Sequence, residues 1–268
     1  MPELPEIETI KNSLETIVGA RIIGTDFRRQ DIIKRQDFAP DRLDGMVVRS
    51  IGRRGKFLII YLEKEYYLVV HMGMSGRFYL LPAGEKAEAP HIHLVIHLDD
   101  GHQLVYQDPR RFGGIRLCRD LQPVFGHMGV EPLSQRFTAR YLAELCQGRK
   151  VAIKNLLLNQ CLIAGIGNIY ADEALFRARV RGTRPAGSLS RAEIRNLNRA
   201  IKAVLKESIR EQGTTFRDYR DGWNREGNFQ NFLNVYGKTG WDCPECGRPI
   251  EKEIIGGRSS HYCAHCQK

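Results

Sequence analysis

The chain has 268 residues, enough for one large domain or two modest ones, and its apolar fraction of 42% excludes disorder as the default state. It carries 41 Lys and Arg against 31 Asp and Glu, a formal +10, so its surface favours polyanions, which release counterions on contact. No apolar run reaches about eighteen residues, and the opening MPELPEIETIK is acidic; a membrane span and a secretory signal are both excluded, and a soluble, cytoplasmic protein is expected.

Residues 3–18 place Ile7, Ile10, Leu14 and Ile17 at spacings of three and four, which predicts an amphipathic helix stopped by Gly19. From about 20 to 118 the texture changes to short β-rich runs: MVVRSI, KFLIIYL, YYLVVHM, HIHLVIHL, HQLVYQ and GIRLC. Gly and Asp-Asp-Gly turn signals punctuate them, as in an antiparallel sandwich or barrel. Residues 121–133 hold Pro123, Gly126, Gly129 and Pro132 and read as a linker. Beyond them the pattern turns helical. Thr138 can cap one helix, and Val151 to Asn159 suggests another. Ser190 with Glu193 forms a capping box opening a helix with Ile194, Leu197, Ile201, Val204, Leu205 and Ile209 on one face, ended by Gly213. The division is therefore an N-terminal domain over 1–120, a linker over 121–133, a helical domain over 134–228 and a cysteine-rich tail over 234–268.

The seven cysteines split unevenly. Cys118, Cys146 and Cys161 stand alone and are expected in the core, since a free thiol packs as a small hydrophobe. Cys243, Cys246, Cys263 and Cys266 form two CxxC pairs, whose thiolates can complete a tetrahedral site for one structural zinc. An iron–sulfur cluster or a redox dithiol is the alternative. Metal binding, worth roughly 10–16 kcal/mol in small zinc modules, would supply the folding energy that so short a tail lacks. Between the pairs, EKEIIGGRSSHYC predicts a hairpin turning near Gly256 and Gly257, with Arg258 just past the turn and suited to a phosphate.

The other unusual feature is the start. Met1 precedes Pro2, a small residue that permits removal of the initiator and exposure of a secondary amine. At pH 7 an α-amine is about 250-fold richer in its neutral, nucleophilic form than a lysine. Glu3 and Glu6 flank it and can divide acid and electrostatic work. The same residues also suit the first turn of a helix for structural reasons alone.

MPELPEIET resembles the opening of the bacterial formamidopyrimidine-DNA glycosylases, a family of oxidised-purine glycosylase/lyases. Further matches follow in order: RRGKFL (53–58), HMGMSG (71–76), HIH (91–93), DPRRFGG (108–114), AIK (152–154), GIGNIYADEALF (165–176), VYGK (235–238) and HYCAHCQK at the tail. The resemblance implies an α+β multidomain protein: an N-terminal β-sandwich with flanking helices, a helical domain with a helix–two-turns–helix motif, and a C-terminal zinc finger with four cysteine ligands. It implies that Pro2 attacks C1′ of the damaged nucleoside, that Glu3 is the general acid opening the sugar, and that Glu6 supports the site. Lys56 and Arg258 would contact phosphate and take part in strand cleavage. Met74, Arg110 and Phe112 would fill the gap left by the extruded nucleotide, as an adaptable thioether, a donor and a wedge. His71, His91, Arg149, Lys154 and Asn168 would be further DNA contacts, Asn168 at a helix start that suits phosphate.

The implied partner is damaged double-stranded DNA, bound by a monomer near the nucleoid without nucleotide cofactor or membrane. Two features depart from the family pattern. Ala89-Pro90 stands where a lysine commonly precedes HxH, and the loop 217–228, matching a segment that covers the flipped base, carries Trp223 and three arginines. Competing readings are the sister family acting on oxidised pyrimidines, which typically opens MPEGPE, and a non-catalytic lesion-binding protein.

Overall fold

A computed structural model describes residues 1–268, and its contacts divide the chain into two compact units. The first joins Met1–His127 to Ile209–Gln230; the second joins Met128–Ser208 to Asn231–Lys268. This division differs from the one drawn on composition. The loop assigned to the helical domain packs with the N-terminal residues, and the cysteine-rich tail packs with the helices.

In the first unit, helix α1 (Leu4–Leu14) begins with Pro5 in its first turn and ends in a single 3-10 turn before Gly19, which takes φ 96°. Nine strands follow: β1 (Ile22–Phe27), β2 (Ile33–Gln36), β3 (Val48–Arg54), β4 (Phe57–Leu62), β5 (Tyr67–His71), β6 (Arg77–Leu81), β7 (Ile92–Leu98), β8 (Gln103–Gln107) and β9 (Gly114–Cys118). They form a four-stranded sheet, β1-β7-β8-β6, and a five-stranded sheet, β2-β9-β5-β4-β3. All pairings are antiparallel except β2 with β9.

One apolar cluster takes residues from both sheets, including Leu58, Ile60, Val70 and Leu117 from one and Phe78, Leu94, Ile96 and Tyr106 from the other. The alternation that suggests a sandwich or a barrel thus resolves as a sandwich. Ile7, Ile10 and Leu14 of α1 enter the same cluster, so the helix is fixed by its apolar stripe. The short helix α2 (Gln122–Phe125) brings Val124 against Ile59, Val69 and Cys118 on the outer face of the larger sheet.

The second unit holds α3 (Ala139–Cys146), α4 (Ile153–Leu158), α5 (Asn168–Arg177), the N-terminal part of α6 (Arg191–Arg210), and the hairpin β10 (Glu251–Ile255) with β11 (Arg258–Tyr262). Thr138 caps α3 by accepting the Tyr141 amide at 3.1 Å. Ser190 and Glu193 exchange the two bonds of the expected capping box, 2.7 and 3.3 Å. Between α4 and α5, Gln160 closes two successive turns. Its amide nitrogen donates to Ile166 O at 2.8 Å, and its carbonyl accepts Gly165 N at 2.8 Å. Cys161, expected in the core, is instead exposed in this connection, where Asn159 Oδ1 accepts its backbone N–H. Cys118 and Cys146 are buried as expected.

Candidate functional site

The first site grows from the start of α1. Pro2, Glu3 and Glu6 are all buried, Glu3 to 3% exposure and Glu6 to 1%. A buried carboxylate needs donors, and Glu6 has two from the backbone: Glu3 N at 2.8 Å and Thr214 N, also 2.8 Å. The second bond ties α1 to the segment after α6. Tyr219, buried in the same unit, donates to Gln212 O at 3.1 Å. Burial, with the charge of Glu6, pushes its hydroxyl well above the usual phenol range, so it stays a donor. Arg53 Nε meets Glu8 Oε2 at 2.6 Å and pins the β3–β4 turn to α1. Burial would raise the Glu8 carboxyl, but Arg53 and Lys11 outweigh it and hold it below its ordinary value. Three residues on, in that turn, Lys56 is 7% exposed.

Three expected DNA-contacting segments meet at Asp108. This carboxylate, fully buried, accepts Ser75 Oγ at 2.6 Å, Gly113 N at 2.9 Å and Tyr106 OH at 3.2 Å. Its amide donates to His91 O at 3.1 Å, and its carbonyl lies 2.9 Å from His93 Nε2. Gly73 and Gly113 let the two loops touch backbone to backbone: a Cβ on Gly73 would collide with Gly113 N, and one on Gly113 with His71 O. What this frame holds outward is Met74, 42% exposed, and Phe112, 64% exposed, with Arg110 Cζ 5.8 Å from the Phe112 ring centre. Both apolar side chains therefore lie outside the core of the sandwich.

His71 ends β5, half-buried against Phe57 with ring centres 4.6 Å apart, and its Nδ1 accepts Gly73 N at 3.3 Å. Burial, then the cations Arg116 and Lys56, bring its pKa down to about 4. It is a neutral imidazole at pH 7. His91 sits in an exposed turn ahead of β7 with φ 65°. The loop 217–228 lies on the edge strand β6: Leu80 N donates to Gly222 O at 2.7 Å, and Arg77 Nε to Asp218 O at 2.8 Å. Arg110 and Asp218 are 3.7 Å apart.

In the second unit, Arg149 is exposed just after α3 and Arg258 at the start of β11, past a turn in which Gly256 and Gly257 both take positive φ. Asn168 opens α5, and its Nδ2 donates to Ser259 O at 2.9 Å. Lys154, expected as a DNA contact, lies inside the second unit. Its side chain has 0% exposure, with Nζ 2.6 Å from Asp172 Oδ1 and 2.7 Å from Ser259 O, because α4 turns it inward against α5 and β11. Sequence reasoning does not single out Asp108, Asp172, Glu173 or Tyr219. Glu173, fully buried, accepts the amides of Asn234, Val235 and Tyr236 at 2.9 to 3.0 Å, seating the VYGK segment on α5. For the three acids the one sequence signal is membership of DPRRFGG and GIGNIYADEALF.

The four tail cysteines place their sulfurs within 4.8 Å of one another. Such crowding suits thiolates sharing one cation. Without a cation they compete for charge: amide donors and Cys246 outweigh burial and draw Cys263 down to about 7, while burial and the neighbouring sulfurs push Cys266 up to about 12. Cys243 and Cys263 pack with Phe176, Val235 and Ile250, so the ligand set is part of the second unit's core. The donor set fits one tetrahedral zinc with no open position.

A buried carboxylate site on a sandwich, a helical unit with a zinc-stapled hairpin and a formal +10 define a zinc-containing, DNA-directed enzyme class. Three family models match in chain order: the formamidopyrimidine-DNA glycosylase N-terminal domain at residues 1–115, the H2TH domain of the same enzymes at 128–220, and the zinc finger found in FPG and IleRS at 243–268. A formamidopyrimidine-DNA glycosylase of Syntrophomonas wolfei is 53% identical over 268 residues, all of both chains, and one of Symbiobacterium thermophilum is 44% identical over all of this chain and 89% of its own. Among solved structures, the MutM (Fpg) protein of Thermus thermophilus aligns with a TM-score of 0.89 at 39% identity, over 99% of this chain and 98% of that one. The Lactococcus lactis Fpg in complex with DNA containing an abasic site aligns at 0.92 and 33%, over 99% of both. The chain belongs to the formamidopyrimidine-DNA glycosylase family.

Proposed function

We propose that this chain excises oxidised purines from duplex DNA through the amine of Pro2 and then cuts the strand at the resulting site. The observation that carries this reading is the burial of Pro2 beside Glu3 and Glu6, with Glu6 held by two backbone amides. A secondary amine at that place, once Met1 is removed, lies in a water-poor setting where acid and base work can be divided.

The damaged nucleotide is first extruded, at a cost of a few kcal/mol in unstacking. Met74, Arg110 and Phe112 occupy the gap. The Pro2 nitrogen forms a bond to C1′ as the glycosidic bond breaks; the glycosidic electron pair leaves with the base, and the proton shed by the attacking amine goes to that base, which returns a lone pair to the nitrogen. Glu3 donates a proton to the ring oxygen, opening the sugar to a cationic iminium. That cation acidifies C2′–H, and loss of this proton expels the 3′ phosphate. A second elimination expels the 5′ phosphate. Water then hydrolyses the iminium, releasing the sugar fragment and restoring the amine. Lys56 and Arg258 stabilise the departing phosphates, and the start of α5 at Asn168, with Arg149, His71 and His91, holds the flanking backbone. Zinc supplies rigidity to the hairpin carrying Arg258 and takes no step. A duplex substrate places the protein at the nucleoid, in the cytoplasm.

The test is reductive trapping. With borohydride and a duplex containing 8-oxoguanine opposite cytosine, the expected product is a covalent adduct that peptide mapping assigns to Pro2. An adduct on a lysine, or none, overturns the mechanism.

A further inference from the structure

Three buried or half-buried side chains from the helices converge on the finger strand beside Arg258. Lys154 Nζ and Asn168 Nδ2 donate to the same oxygen, Ser259 O, at 2.7 and 2.9 Å. Asp172 completes the arrangement. Its Oδ1 is 2.6 Å from Lys154 Nζ and accepts Ser260 Oγ at 3.2 Å; its Oδ2 accepts His261 N at 2.9 Å and lies 3.2 Å from His261 Nδ1. Lys154 and Asp172 both have 0% side-chain exposure. On the other side of Arg258 the hairpin is equally constrained: Gly256, at φ 56°, lies so close to α4 that a Cβ there would collide with Asn155 Oδ1.

A buried ion pair is a poor device for stability alone, because desolvating both charges offsets most of their attraction and a well-packed apolar pair would serve as well. What it adds is direction. Both lone pairs of the Ser259 carbonyl are engaged, so the Ser259–Ser260 peptide plane, one residue past Arg258, has one orientation. We infer that Lys154, Asn168 and Asp172 are positioning residues for Arg258, fixing the hairpin tip so that its guanidinium meets phosphate without an ordering step. This rests on the proposed role of Arg258 at the DNA backbone. It also explains why a lysine in a DNA-binding family motif points away from solvent. Preorganisation of this kind raises the rate more than the occupancy, since a misplacement of about 1 Å can cost on the order of 100-fold.

The test is a mutant cycle on the full-length zinc protein, reading single-turnover cleavage of an abasic-site duplex. K154M/D172N removes the Lys154 donor and both charges together, so no unpaired charge is buried. R258A and K154M/D172N should each slow cleavage, by about 10- to 100-fold, with substrate affinity changed less than the rate. The triple variant should be no more than about 2-fold worse than R258A, since residues acting through one another are not additive. Losses that multiply overturn the inference. So does loss of zinc from K154M/D172N, which would make the pair a folding requirement rather than an aiming device. If R258A cleaves at the wild-type rate, the reading of Arg258 fails instead. Amide exchange then decides the clamp: faster exchange over residues 258–262 in zinc-loaded K154M/D172N upholds it, and unchanged exchange removes it.

Discussion

The carboxylate of Asp108 accepts the hydroxyl of Ser75 at 2.6 Å, and this one bond joins the loop carrying Met74 to the loop carrying Arg110 and Phe112. The same carboxylate takes Gly113 N and Tyr106 OH, and burial with the Asp108 charge pushes the Tyr106 hydroxyl up, so it remains a donor. The three side chains proposed to fill the gap are thereby presented by one frame. Asp108→Asn replaces an acceptor with a donor facing an amide or a hydroxyl that must donate. It should destabilise the protein by roughly 2–3 kcal/mol and slow excision from a lesion duplex more than cleavage of single-stranded abasic DNA, which needs no gap filled. Thermal melting and paired single-turnover assays check this; equal slowing on both substrates would separate the frame from base extrusion.

Much of this is legible in the sequence, and what is not has a common physical cause. The helix at Leu4–Leu14, the capping box at Ser190 and Glu193 and the cysteine ligand set are local patterns, set by spacing along the chain. Strands β1, β2 and β6 carry no such individual mark. In RFYLL the apolar residues run on without alternation, because the strand is covered on both faces: Phe78 and Leu80 enter the main core while Tyr79 joins the outer cluster. Asp108, Asp172 and Glu173 are polar residues whose role is to satisfy backbone amides or cations, several of them far away in sequence, as with Asp172 and His261. No window of sequence reveals such a partner. The loop 217–228 reads as part of the helical domain because it follows α6, whereas Gly222 O accepts the edge amide of Leu80.

Glu3 and Glu6 should separate functionally. Glu3→Gln removes the proposed proton donor to the sugar ring, and general acid catalysis is worth about 100- to 10,000-fold. Base excision should fall in that range. Cleavage of a preformed abasic site, part of which is already an open aldehyde, should fall far less. Glu6→Gln leaves one amide oxygen to serve Glu3 N and Thr214 N, and should cost about 1–2 kcal/mol of stability with both activities reduced together. Gel assays on the two substrates distinguish the variants.

His71 carries a pH signature. Its folded pKa is lowered to about 4 from 6.5, by burial and then by Arg116 and Lys56. The unfolded chain therefore binds a proton that the folded protein refuses. Stability from this group is complete above about pH 6.5 and is lost as pH falls towards about 4, to a limit of roughly 3 kcal/mol. Denaturant melts across that window should show the wild type losing stability relative to His71→Gln as pH falls, because glutamine can accept from Gly73 N without titrating. Parallel curves would show that the imidazole is not held neutral.

Zinc should be required by one unit and not by the other. Cys243 and Cys263 share a cluster with Phe176 and Val235, so losing the ion opens the core beneath α5 as well as the hairpin. Four sulfurs within 4.8 Å cannot all ionise without a cation, and reprotonated thiols no longer draw the hairpin together. Chelation, or Cys246→Ala, should abolish duplex binding by removing Arg258 from its place. The sandwich, whose core draws on α1 and both sheets, should keep its protection. Hydrogen exchange reads both units in one sample: the expected result is loss of protection over 168–177 and 251–262, with 57–71 and 92–107 unchanged. Retained duplex affinity in zinc-free protein would deny the finger its part in binding, and loss of protection in both regions would show that the sandwich depends on the metal too.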